Sequence, residues 1–211
     1  MEKNIIQVLK RKLTFKKIAD YQKIDGWLSE NEALGLYSIA KKLPNESIVV
    51  EIGSWQGKST FCISKGLKSG KLYAIDPFNK DAGTDIGTQQ DYDNKIVENS
   101  LLNNFKKNMS DLNVDDKIVI KKGYSYDFYE DFDSIDFLFI DGDHSIKGCK
   151  LDFDLYANKI KPGGFIALHD FYPNRPELGP TYVINEIIKK SVDFSFYNIY
   201  DSLWVGKKVA K

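Results

Sequence analysis

Five short apolar runs constrain this chain most: Ile48 to Ile52, Leu72 to Ile75, Ile118 to Ile120, Phe137 to Ile140 and Phe165 to Leu168. They are rich in β-branched and aromatic residues and alternate little with polar ones, the pattern of strands covered on both faces. Helical patterns lie between them, at Ser59 to Leu67, about Asp93 to Met109, and Ile146 to Ile160, the last with Cys149, Phe153, Tyr156 and Ile160 along one face. Its stop is read at Lys161-Pro162-Gly163-Gly164, a breaker followed by glycines able to turn left-handed. Strands alternating with helices require parallel pairing and right-handed crossovers, so the expected fold is α/β, a doubly wound sheet. Beyond Asp170 come a loop punctuated by Pro173, Pro176 and Pro180 and a helix near Tyr182 to Lys190. Two strand-like pieces follow, Phe194 to Tyr200 and Leu203 to Val205, parted by Asp201-Ser202 and read as a closing antiparallel hairpin.

Ahead of the first run, Ser29 and Glu32 form the capping box of a helix carrying Leu34, Leu36, Ile39 and Leu43, which Pro44 helps to end. Earlier still, residues 3 to 23 hold seven basic side chains against Glu2 and Asp20, with Ile5, Ile6, Leu9 and Leu13 at near-helical spacing. We read residues 1–25 as an N-terminal helical extension that packs on the domain or on a second subunit, with a membrane-surface anchor as the alternative, and residues 26–211 as the main domain. A length of 211 residues suits that single domain.

Charge narrows the partners. Lys plus Arg and Asp plus Glu both number 30, and the arginines are Arg11 and Arg175, so neither a global field nor a set of bidentate forks points to nucleic acid. Cys62 and Cys149 lack metal-site or disulfide-framework spacing, no apolar run reaches the roughly 18 residues of a membrane span, and no signal peptide is apparent. A cytoplasmic location is the expectation.

Ligands of open parallel sheets bind beyond the carboxyl ends of the strands. Strand one runs into Glu51-Ile52-Gly53-Ser54-Trp55-Gln56-Gly57-Lys58-Ser59, strand two ends at Asp76, strand four at Asp141-Gly142-Asp143-His144, and strand five at His169-Asp170. The glycine turn lacks the second glycine of a dinucleotide fingerprint and is one residue short of a phosphate-cradling P-loop. A turn led by Glu51 suits an uncharged or cationic ligand better than a pyrophosphate. Asp76 stands where an acid can accept from a ribose diol. The polar segment Asn79 to Asn94, between a strand and the next helix, has the length of a lid or binding element.

Four stretches in order, Val50 to Thr60, Ala74 to Phe78, Phe139 to Ser145 and Lys161 to Phe171, resemble the class I S-adenosylmethionine-dependent methyltransferases. The similarity is to the small O-methyltransferase branch that includes sugar-modifying enzymes, with catechol-type enzymes more distant, and it spans about residues 26 to 206. It implies a Rossmann-like, mostly parallel seven-stranded sheet in the order 3-2-1-4-5-7-6. It also implies that Glu51, Gly53, Ser54, Gly57 and Ser59 line the methionine half of S-adenosylmethionine, that Asp76 holds the ribose, and that Gly123, Tyr124 and Ser125 border the adenine. Asp141 would serve cofactor, metal and catalysis together. Metal-dependent members bind magnesium or a similar ion through the positions of Asp141, His169 and Asp170. Relatives carry an acid where His169 stands, and an imidazole shifts the preference to a softer ion or leaves that position outside the ligand set.

His144, three residues after Asp141, falls where such enzymes place their base. The chemistry asks for one: displacement at a sulfonium methyl needs alignment of nucleophile, methyl and sulfur, and removal of a proton from a hydroxyl that is a poor nucleophile when neutral. The expected reaction is methyl transfer to a hydroxyl of a small-molecule, sugar or glycan-precursor acceptor. A metal-independent methyltransferase, a cofactor-binding module without chemistry and a dehydrogenase are the competing readings. Asp143 either orients His144 or caps the following helix.

Overall fold

The computed structural model describes residues 2–79 and 100–210. Helix α1 (Glu2–Ile18) leads through a 3₁₀ turn to α2 (Glu30–Ala40), strand β1 (Ser47–Ile52), α3 (Lys58–Gly66) and β2 (Gly70–Asp76). Then come α4 (Ser100–Asp111), β3 (Ile118–Lys122), β4 (Ile135–Ile140), α5 (Ile146–Tyr156) and β5 (Ile160–Leu168). A short helix α6 (Gly179–Tyr182) and the strands β6 (Phe194–Tyr200) and β7 (Leu203–Lys208) complete the chain. The seven strands form one sheet in the order β3-β2-β1-β4-β5-β7-β6, parallel from β3 to β5 and antiparallel where β7 joins β5 and β6. Fold class, strand order and closing hairpin all match the sequence reading.

Both sheet faces are covered, which is why the central strands read as unbroken apolar runs. Along β1, Val49 joins the layer of Leu36, Ile39, Phe61 and Phe105 from α2, α3 and α4, while Val50 joins that of Cys149, Tyr156 and Ile184 on the other side. Ile18, Tyr21 and Ile24 are buried in the first layer, so the N-terminal segment is seated on the body at its carboxyl end, whereas Leu9 and Leu13 of α1 are exposed. No helix among the described residues is long and apolar enough to cross a membrane.

Two expectations shift. Helix α5 stops at Tyr156 and a 3₁₀ turn, Ala157–Lys159, precedes β5, so Lys161 to Gly164 lie inside the strand rather than after a helix. The register moves from Ile135 opposite Ile160 to Phe137 opposite Phe165, a bulge that absorbs the extra residues and places Gly163 at φ 79°. Proline is tolerated at such a bulge, where no ladder N–H is required of it. The helix expected at Tyr182 to Lys190 begins earlier, at Gly179, and relaxes into a π-turn over Val183–Ile187. The helix start near Asp93 and nearly all of the polar segment Asn79 to Asn94 lie outside the described residues.

Candidate active site

The loop after β1 turns on Gly53, whose φ is 86° and whose position admits no side chain: a Cβ there would stand 2.1 Å from the carbonyl oxygen of Asp141. That close approach stitches the ends of β1 and β4 together. Gly57, at φ 93°, caps α3 and packs against Met109 and Phe105 of α4. Between the glycines the amides of Ser54 and Trp55 both donate to Oδ2 of Asp76 at 2.8 Å, and the amide of Phe78 donates to Oδ1 at 2.6 Å. The donors that a phosphate-binding loop would offer to a ligand are therefore held by an internal carboxylate. A carboxylate has about four acceptor positions, so Asp76 keeps about one for a ribose hydroxyl.

Glu51 is fully buried behind this turn and accepts from the hydroxyls of Ser54, Ser59 and Thr60. Burial pushes its carboxyl up to about 7, against the pull of those three donors. The turns after β1, β2 and β5 each carry a non-glycine residue in the left-handed region, Trp55 at φ 48°, Phe78 at 51° and Asp170 at 56°. Such strain concentrates at ligand sites.

Beyond the carboxyl ends of the strands lies a cavity of about 1020 Å³. Of the candidate residues, Gly53, Ser54, Ser59, Asp76, Gly123, Tyr124, Ser125, Asp141, His144, His169 and Asp170 border it. Glu51 and Gly57 do not reach its wall and act through Ser54, Ser59 and the packing of α4. At the end near Ser125, α5 supplies Asp152, which accepts from the Ser125 hydroxyl, while Tyr156 donates to the Ser125 carbonyl at 2.7 Å. Burial pushes Asp152 up to about 7. The wall also carries the paired rings of Trp27 and Trp55, 5.8 Å between centroids, and Tyr172.

Just beyond the carboxyl ends of β4 and β5 the polar residues converge. Nε2 of His144 stands 3.7 Å from Oδ1 of Asp141 and 3.4 Å from Oδ2 of Asp170. Nδ1 of His169 stands 3.1 Å from the same Asp141 oxygen and 3.4 Å from the same Asp170 oxygen. The expected metal set, Asp141, His169 and Asp170, is thus assembled with His144 beside it. Ligand atoms of Asp141, His144 and Asp170 lie within 4.8 Å of one another, so His144 competes with His169 for the nitrogen position around any ion. Burial disfavours charge on both rings, yet the carboxylates outweigh it: His144 is raised above its ordinary value and His169 well above. Burial would raise Asp141, but the two imidazoles hold it low. Asp143 accepts from the amide of Ser145, and Ser145 itself caps α5, so Asp143 shapes the turn ahead of the helix.

Sequence reasoning missed Glu32 as a member of the site. Its capping-box bond to the Ser29 amide is present at 2.8 Å, but Oε1 also accepts from the Ser202 amide and hydroxyl, and Oε2 lies 3.3 Å from Nε2 of His169. Burial disfavours its charge, but His169 and Ser202 prevail and hold its carboxyl at about 2. Nothing in the local pattern marks this second role, because it depends on a hairpin far along the chain.

An α/β sheet with acids and glycines at its carboxyl ends and a ligand-sized cavity above them defines a cofactor-dependent enzyme class of Rossmann-like topology. A methyltransferase-domain family model matches residues 50–171, more than half of the chain, and the protein belongs to that family. Among curated proteins it is 32% identical over 148 residues to the uncharacterized protein R132 of Acanthamoeba polyphaga mimivirus, a match covering 66% of this chain and 58% of that protein. It is 24% identical over 171 residues to the uncharacterized protein y4gI of Sinorhizobium fredii, covering 77% of this chain but 18% of that protein. Solved structures share the fold: the O-methyltransferase TomG of Streptomyces achromogenes, in complex with SAM, superposes with a TM-score of 0.65 at 16% identity over 93% of this chain and 90% of that one. An O-methyltransferase from Bacillus cereus in complex with SAH gives 0.63 at 16% over 95% and 90%.

Proposed function

We propose that this methyltransferase moves the methyl group of S-adenosylmethionine to a hydroxyl of a small acceptor of sugar or phenol type, with His144 as the base. The convergence of Asp141, His144 and Asp170 at 3.4–3.7 Å, on the wall of the cavity, carries the reading. On this reading the methionine half lies along Gly53, Ser54 and Ser59, Asp76 receives a ribose hydroxyl, and Gly123, Tyr124 and Ser125 flank the adenine. S-adenosylmethionine supplies an electrophilic methyl on a sulfonium, so the protein has to align the acceptor oxygen with it and take away a proton. His144 is aimed for that task by two carboxylates, which also make the imidazole a stronger base and stabilise the imidazolium it becomes.

Asp141, Asp170 and one of the two imidazoles form a mixed oxygen and nitrogen donor set that fits a divalent cation. Such an ion, when bound, lowers the acceptor hydroxyl's pKa and fixes its direction. Transfer without a metal is the second reading, and His169 favours it: an imidazolium facing Glu32, Asp141 and Asp170 supplies internal positive charge among those acids.

Calorimetric titration with S-adenosylhomocysteine, with and without magnesium, is the deciding experiment. Micromolar binding is expected; failure to bind would overturn the cofactor assignment. Loss of methyl transfer in chelator, restored by a divalent ion, is expected of the first reading, and full activity in chelator selects the second.

A further inference from the structure

Glu32 is 4% exposed and sits on the first turn of α2, outside every stretch that carries the family resemblance of the strand ends. Its two oxygens divide their work. Oε1 takes the amide of Ser202 at 3.0 Å and its hydroxyl at 2.7 Å, locking the β6–β7 turn. Oε2 takes the Ser29 amide at 2.8 Å and faces Nε2 of His169 at 3.3 Å. That nitrogen is fully buried and makes no aligned hydrogen bond to any described residue, and Glu32 is the carboxylate standing nearest it in ion-pair range. An imidazole in such a place needs an acceptor for its N–H, and Glu32 is the group standing there.

The opposite edge of the ring is the one that meets the chemistry. With Nε2 turned to Glu32, Nδ1 faces Oδ1 of Asp141 at 3.1 Å and Oδ2 of Asp170 at 3.4 Å, the same oxygens that flank His144. A ring flip would exchange carbon for nitrogen at those oxygens and leave both acids without their imidazole contact. We propose that Glu32 is the positioning residue of this site: by holding the Nε2 edge of His169 it keeps Nδ1 turned to Asp141 and Asp170, and so sets the two acids that aim His144. A carboxylate behind an imidazole is a common means of fixing its tautomer and orientation, and loss of such outer partners costs on the order of 10- to 100-fold in activity or metal affinity.

The rate effect rests on the methyltransfer reading, whereas the ring's orientation does not, so the test has an arm for each. In the full chain with S-adenosylhomocysteine bound, proton NMR is expected to show a downfield ring N–H of His169, assigned with His144→Gln since the chain has two histidines. Glu32→Gln should shift or broaden that resonance and lower kcat by about tenfold or more, with little change in KM for the cofactor. Ser202→Ala, which loosens the hairpin but leaves the carboxylate, should keep the resonance. Should Glu32→Gln fail to fold, Glu32→Asp, shorter by one methylene but still charged, is expected to show the same loss of the resonance. A resonance untouched in the Glu32 variant, or lost equally in Ser202→Ala, would overturn the proposal by making Glu32 a fold contact only. If no acceptor is ever methylated, the methyltransfer reading fails and the resonance still decides the role of Glu32.

Discussion

At the scale of single residues, the site separates carboxylates by their surroundings. Asp141 and Glu32 are kept ionised by imidazoles, while Glu51 is pushed up to about 7 by burial. The last shift has a sign that can be measured. Between 4.5, its ordinary value, and 7, the folded state retains a proton that the unfolded chain has lost, so folding is penalised progressively as pH rises through that window, by up to about 3 kcal/mol. Glu51→Gln should therefore gain melting temperature relative to the parent between pH 4.5 and pH 7.5, as followed by thermal melts at both. A constant difference across that range would show that Glu51 is ionised when folded. For His144→Ala, turnover is expected to fall by about 10²-fold or more with affinity for S-adenosylhomocysteine close to the parent, since general-base catalysis contributes on that order. Surviving turnover would move the base elsewhere.

Elements explain what could and could not be read from the sequence. The runs at β1, β2, β4 and β5 were legible because burial on both faces leaves little place for polar residues, and the acids at their ends stood out against that background. The turn at Gly53 was legible for the same reason that it is fragile. Gly53→Ala meets a carbonyl oxygen at 2.1 Å in a backbone conformation that side chains rarely adopt, so it should cost more than about 2 kcal/mol in denaturant unfolding and abolish cofactor binding. What was not legible depends on long-range contact. Asp152 and Glu32 are acids on helices, where a sequence shows only a polar position or a cap, and both become site residues through partners at Ser125 and Ser202. Lys161 to Gly164 looked like a helix stop because proline and glycine mark bulges and breaks alike.

For the whole molecule, cofactor binding should be visible as stability. A ligand that binds only the folded chain adds RT ln(1 + [L]/Kd), about 2.7 kcal/mol at a hundredfold excess over Kd, so saturating S-adenosylhomocysteine should raise the melting temperature by several degrees. Asp170→Ala should leave that rise in place and match chelation in its effect on turnover. A variant that is fully active, or one whose loss chelator deepens much further, would separate Asp170 from the ion.

The turn at Asp201 and Ser202 reaches back to residues made about 170 positions earlier. Ser29 donates to Asp201 at 2.5 Å across 172 positions of sequence, Asn31 joins it at 2.9 Å, and Ser202 clasps Glu32. All of the strand-end turns up to Asp170 are made before that clasp can form, and at about 5–20 residues per second the wait from the first partner to the last is on the order of ten seconds or more. During that interval the nascent chain holds its strand-end turns without the hairpin's hold on the start of α2. The chain is thus expected to bring its strand-end acids together before the hairpin fixes α2 over them, and a chain stopped ahead of β7 should lack that fixation even with all those acids present.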